Sequence, residues 1–321
     1  MLLEPAFLAK LETLSLAAHR PRAGQMQGER RSTKRGTSVE FADYRDYARG
    51  DDLRRVDWNI YARLERPYVK LFEEEEDLAV HVLLDGSGSM DWGDGEGETR
   101  RQGDKETRGQ GDKETRGQGD KETNKWLYAR RLAAALGVIA LNGGDRLTIT
   151  ALSRSPSAIP NAQFAARGRG HTLRMLQWLA GLPAGGITDL NASLRAYALR
   201  GSRAGLLLLL SDLFSPGGYL DGLTALAARG HEIAILHLLS PDEIEPPLEG
   251  DLRLLDVETG DPQEVSIDGS LRDLYRRRLA SWQDEIRAAC RARDARYIPL
   301  VTDTPLEQAV LMELRQQGVV K

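Results

Sequence analysis

One cysteine, Cys290, is all that the 321 residues contain. This excludes an internal disulfide and any cysteine-built metal cluster, and it fits a reducing compartment, so the expected location is cytoplasmic. No apolar run approaches the ~20 residues a membrane helix needs. The opening stretch MLLEPAFLAKLETL carries charges where an export signal would be apolar, so a chain that neither spans nor crosses a membrane is expected. Net charge is only −4, too small for a global field that would draw the molecule to nucleic acid. Several catalytic signatures are missing as well. No lysine follows a glycine loop in the manner of a nucleotide-binding P-loop, which argues against ATP hydrolysis by the chain itself. Gly86 and Gly88 are followed by Asp91 where a dinucleotide fingerprint needs its third glycine. Ser87 has Asp85 and Ser89, not glycines, two residues to either side, so it is not a nucleophile elbow. His231-Glu232 leads to Ile235 where a zinc protease would need its second histidine.

What is present is an ordinary globular composition arranged around one stretch, Leu78 to Met90 (LAVHVLLDGSGSM). Its apolar half reads as a buried strand and its second half as a glycine-loosened turn. Before it, Pro5 to Ala18 has the spacing of a short amphipathic helix, and residues 20–35 are polar and basic. Glu40 to Phe72 then mixes aromatics (Phe41, Tyr44, Tyr47, Trp58, Tyr61, Tyr68) with nearly balanced acids and arginines. Aromatics packed on a core under ion pairs are expected there rather than a nucleic-acid surface. After the turn, TRRQGDKE and two copies of TRGQGDKE form a polar octapeptide repeat from Thr99, read as a disordered insertion over residues 94–123.

From Lys125 onward helices and strands alternate. Helices are predicted over Lys125–Leu141, Thr172–Leu182, Leu190–Leu199, Leu220–Ala228, Leu271–Arg293 and Pro305–Gln317. Strands are predicted over Asp145–Leu152, Ala204–Leu210, Glu232–Leu239 and Tyr297–Val301, with a hairpin turning at Thr259-Gly260-Asp261. Such alternation predicts an α/β fold, a doubly wound and mostly parallel sheet with helices on both faces. The expected organisation is an N-terminal extension, 1–77, followed by a domain over 78–321.

Sheets of this kind bind ligands beyond the carboxyl ends of their strands. Three such places offer oxygen: Asp85, Ser87 and Ser89 after the first buried strand, Thr188 in GGITDL, and Asp212 in LLLLLSDLF. Two carboxylates and three hydroxyls suit a hard cation, Mg²⁺ or Mn²⁺, with a position left for water or an acidic side chain of another protein. Taken singly, each element has a plain structural reading: the Asp-Gly-Ser-Gly-Ser run as a turn, Thr188 and Asp212 as helix caps. His81 and His237 fall inside strand runs and read as core or edge residues.

D-x-S-x-S at 85–89, the threonine of G-G-x-T-D at 185–189 and S-D at 211–212 resemble the metal-ion-dependent adhesion site of von Willebrand factor type A (VWA) domains. The string from Glu40 (EFADYRDYARGDDLRRVDWNIYAR), with VKLFEEEEDL after it, resembles the bacterial family called domain of unknown function fifty-eight, whose members carry such a domain. The resemblance runs from about Thr37 to Val320. It implies a VWA-like fold, with Asp85, Ser87, Ser89 and Thr188 as ligands and Asp212 acting directly or through a water. It also implies a MoxR-type AAA+ ATPase as partner, hence an adaptor rather than an enzyme. A metal-assisted hydrolase with Asp91 or Asp189 as general base is the rival expectation, and a scaffold with an empty site a third.

Overall fold

A computed structural model describes residues 2–18, 39–48, 51, 53, 56–74, 77–92, 124–152, 163–183, 188–246, 250–255, 262–267 and 269–321. The basic stretch 20–35, the octapeptide insertion 94–123 and the turn at Thr259-Gly260-Asp261 lie outside the described residues. Two compact units result: Met1–His19 together with Leu78–Lys321, and Arg20–Asp77. The first helix therefore groups with the larger unit, whereas the expected boundary places it with residues 20–77.

Helix α1 (Pro5–Leu11) begins on a proline, whose missing N–H costs nothing at a helix start. Its apolar spacing predicts continuation to Ala18, but the chain leaves the helix because the next residues pair with the C-terminus. The Ser15 and Ala17 amides donate to the Lys321 and Val319 carbonyls at 3.2 and 2.9 Å, and the Lys321 amide donates to Ser15 at 2.9 Å. Backbone groups committed to another segment cannot also close a helix ladder.

In the smaller unit, strands β1 (Val39–Asp46) and β2 (Tyr68–Glu74) pair antiparallel. Helix α2 (Trp58–Leu64) lies between them in sequence and is capped by Asp57, which accepts from the Asn59 and Ile60 amides. The expected packing of its aromatics on a core does not hold throughout. Tyr44, Trp58 and Tyr61 are exposed, and the rings meet one another edge-on, Trp58 with Tyr61 at 5.9 Å and Tyr44 with Tyr68 at 6.4 Å. Among the described residues of this unit, the buried apolar side chains are Val56 and Val69, joined by an isolated antiparallel bridge.

The larger unit is built on β3 (Ala79–Asp85), helix α3 (Lys125–Asn142), β4 (Arg146–Leu152), β5 (Gln163–Arg167), helices α4 (Thr172–Ala180) and α5 (Leu190–Leu199), β6 (Leu206–Ser211), helix α6 (Leu220–Ala228), β7 (Glu232–Leu239), the short helix α7 (Pro241–Ile244), the hairpin β8 (Gly250–Leu255) and β9 (Pro262–Ile267), helix α8 (Gly269–Arg291) and β10 (Arg296–Val301). The sheet order is β10-β7-β6-β3-β4-β5, parallel except for β5. That antiparallel edge strand has no counterpart in the sequence reading, because QFAAR is short and lacks strict alternation. The last predicted helix is present as three pieces, Leu306–Gln308, a π-helical turn Ala309–Glu313, and Leu314–Gln316.

Alternation along the parallel strands sends successive side chains to opposite faces. Val80, Val82 and Leu84 join α1, α3, α4 and the C-terminal helical pieces in one apolar core, while Leu83, Leu207 and Leu209 join α5, α6 and α8 in the other. The result is a mixed α/β protein with helices on both faces of a six-stranded, mostly parallel sheet. No helix among the described residues is long and apolar enough to cross a membrane. Gly205 lets β6 enter beside β3: a Cβ there would stand 2.0 Å from the Ala79 carbonyl oxygen.

Two histidines are sealed into the second core. His81 meets His231 edge-to-face at 4.9 Å and hydrogen-bonds the Tyr197 hydroxyl and the Arg203 carbonyl. Burial pushes His231 down to about 4, and the neighbouring His81 adds to the shift. The folded state thus binds fewer protons than the unfolded chain between pH 6.5 and 4, so stability present above pH 6.5 is lost on acidification. The expected loss from His231 is about 3 kcal/mol. Urea unfolding at pH 7 and pH 4 should show His231→Phe markedly less acid-sensitive than the parent, and an unchanged pH slope would contradict this.

Candidate metal centre

The site begins with strand order. β3 leads by its carboxyl end to α3 on one face of the sheet, and its neighbour β6 leads to α6 on the other. Their adjoining ends are therefore the topological switch point, where loops diverge and leave room. The pairing Leu84↔Leu210 sets Asp85 beside Ser211 as the last residues of the two strands. The Ser211 hydroxyl donates to Asp85 Oδ2 at 2.6 Å.

Asp85 is buried, at 3% exposure. Its Oδ1 accepts from the Ser87 amide at 3.1 Å, which turns the chain so that the Ser87 and Ser89 hydroxyls lie 2.9 Å apart. Gly88 to Asp91 continue as a 3₁₀ turn. Burial, and then the nearby Asp212 carboxylate, raise Asp85 to about 6, against the stabilising hydrogen bonds from Ser211 and Ser87. No lysine, arginine or histidine pairs with Asp85 among the described residues.

Asp212 follows β6 and is completely buried. Its Oδ1 accepts from the Phe214 amide at 3.1 Å and its Oδ2 from the Lys125 ammonium at 2.7 Å, while its carbonyl accepts from His237 Nε2 at 3.0 Å. Between Asp212 and Phe214, Leu213 adopts a left-handed backbone with φ of 58°, strained for a leucine. The Ser211 hydroxyl accepts from its amide at 2.9 Å.

Thr188 sits in the loop entering α5. The Leu190 amide donates to Ser215 Oγ at 3.4 Å, and a Cβ on Gly217 would lie 3.4 Å from Asp189 Oδ1. These contacts hold the threonine loop against the loop that follows Asp212. Thr188 is 4% exposed, and its hydroxyl has no hydrogen-bond partner among the described residues. Asp189, the rival general base, is occupied in capping α5 through the Ala192 amide at 2.9 Å. Asp91, the other one, accepts from the Asn124 amide nitrogen at 3.4 Å.

Asp85, Ser87, Ser89 and Asp212 are thus gathered at one strand end, with the Thr188 loop bound to the Asp212 loop. Among the described residues no group of three or more His, Cys, Asp or Glu is placed to hold a metal. A cation at this edge would depend on hydroxyl oxygens for much of its coordination. Sequence reasoning passed over Lys125 and Glu243, and named Ser211 only as the residue before Asp212. Lys125 carried a signal, since a cation in the first turn of a helix opposes the helix dipole.

Fold and site together define the class: a doubly wound α/β protein with a buried oxygen cluster at its switch point. The chain belongs to the family described as Protein of unknown function DUF58, whose model matches residues 43–103 and 113–285. It is similar to the uncharacterized protein Rv1480 of Mycobacterium tuberculosis, at 29% identity over 94% of this chain and 86% of that one. It is similar also to the uncharacterized protein MAV169 of Mycobacterium avium, at 32% identity over 41% of this chain and 77% of that one. Among solved structures it is similar to the conserved hypothetical protein BatB from Bacteroides thetaiotaomicron, with a TM-score of 0.41 and 11% identity over 75% of this chain and 98% of that one.

Ser211 is the hinge of the cluster, donating to Asp85 and accepting from Leu213. Ser211→Ala leaves a buried carboxylate oxygen and a buried amide unmatched, which should cost about 2–3 kcal/mol. A urea midpoint shifted down with an unchanged m-value is the expected result; an unshifted midpoint would show the two contacts to be dispensable.

Proposed function

We propose that the larger unit is a VWA-like domain with a metal-ion-dependent adhesion site, acting as a protein-interaction module and not as an enzyme. Asp85, Ser87, Ser89 and Thr188 would hold Mg²⁺ or Mn²⁺, with Asp212 behind them. The carrying observation is a pair of buried oxygen groups at the strand ends, Asp85 and Thr188, that lack a cation and a hydrogen bond respectively among the described residues. A buried carboxylate without a cationic partner and a buried threonine hydroxyl without a hydrogen bond are both costly alone. A hard divalent ion satisfies both with one bond each.

A bound ion would leave a coordination position for an acidic side chain of a partner protein. The surrounding residues fit that task better than hydrolysis, because Asp189 is engaged as a helix cap and the nearest histidine, His237, is tied to Asp212 and Tyr297. Burial depresses His237 to about 4, so it is neutral at pH 7. The same proposal assigns the chain to the cytoplasm as an adaptor for a MoxR-type AAA+ ATPase.

The test is affinity capture of the tagged full chain from its native cells, in Mg²⁺ and in chelator, alongside Asp85→Ala. The expected result is a MoxR-type ATPase retained in Mg²⁺ and lost, by tenfold or more, in chelator and with Asp85→Ala. Retention that ignores both chelator and substitution would overturn the adhesion-site reading.

A further inference from the structure

Lys125 is the least expected residue in the molecule. It is the first residue of α3, where the helix dipole disfavours a positive charge, and it is wholly buried. Three groups keep it there. Its ammonium lies 2.7 Å from Asp212 Oδ2 and 2.5 Å from Glu243 Oε1, and 5.4 Å from the centre of the Phe214 ring. Glu243 is itself fixed, since its Oε2 accepts from the Ser240 amide at 2.8 Å and its carbonyl accepts from the Tyr275 hydroxyl. Helix α3, the β6 end and the β7 end are thereby tied through one nitrogen atom.

Both carboxylates accept a hydrogen bond on each oxygen, but Asp212 Oδ2 is held by the Lys125 ammonium, whereas Asp85 accepts from the Ser87 amide and the Ser211 hydroxyl and has no cationic partner among the described residues. We infer that Lys125 is a resident counter-cation of the site, which holds Asp212 out of direct coordination and sets the affinity for a divalent ion low. The inference rests on the metal-site reading above. A fixed positive charge salt-bridged to one of the two carboxylates opposes an incoming divalent ion and lowers the charge that would attract it. A site that binds its ion weakly can be emptied and refilled as ion or partner supply changes, because occupancy follows concentration near the dissociation constant. Lys125 is thus a positioning and affinity-setting residue, not a ligand.

The experiment is calorimetric titration of the full chain with Mn²⁺, comparing the parent, Lys125→Met, Lys125→Met with Glu243→Gln, and Asp85→Asn, with thermal unfolding of each with and without Mn²⁺. The double variant removes one of the two carboxylates that Lys125→Met would strand in the interior, so a folded form without the lysine is available for measurement. Both neutral variants should bind Mn²⁺ tighter than the parent by roughly tenfold or more, and Mn²⁺ should raise their unfolding temperatures more than the parent's. Equal or weaker Mn²⁺ binding by the folded double variant overturns the role of Lys125 while leaving the metal site intact. Absence of Mn²⁺ binding in every variant, or binding indifferent to Asp85→Asn, overturns both.

Discussion

A carboxylate at the end of a buried parallel strand has lost its water, and the protein around it must replace what water supplied. Asp85 is that group. The Ser211 hydroxyl and the Ser87 amide provide two hydrogen bonds, against which burial and then the Asp212 carboxylate push its carboxyl up to about 6. Apolar strands close both faces behind it, and β4 and β6 flank it on either side.

Three local rules are broken close to this point. Leu213 holds a left-handed backbone, Thr188 keeps a buried hydroxyl without a hydrogen bond, and Lys125 buries a cation at the wrong end of a helix. Each departure adjoins the β3 or β6 end or a loop held against it. The Lys125–Asp212 pair shows why a list of matching residue types is not yet a coordination sphere. Asp212 completes the sequence pattern, but it is already paired with a buried ammonium.

Much of this was legible in the residue order. Continuous apolar runs such as AVHVLL and LLLLL have one stable home, a parallel sheet covered on both faces, and the alternation of such runs with helical periods gave the architecture. The positions of Asp85 and Asp212 at strand ends follow from where those runs stop. What was not legible depends on partners distant in sequence. The end of α1 at Leu11 is decided by pairing with residues 319–321, and edge strand β5 exists because β4 offers it a free side. Lys125 lay in plain view as a misplaced charge, yet only the meeting of β6 and the α7 turn reveals what it neutralises.

The central claim is that the β3 and β6 ends, with the threonine loop, form one seat for a divalent cation. A crystal structure grown with Mn²⁺, using anomalous scattering to place the ion, addresses it most directly. The account predicts a single strong anomalous peak bonded to oxygens of Asp85, Ser87, Ser89 and Thr188, with Asp212 reaching it only through water. No peak at this edge, at Mn²⁺ concentrations that saturate binding in solution, would contradict it.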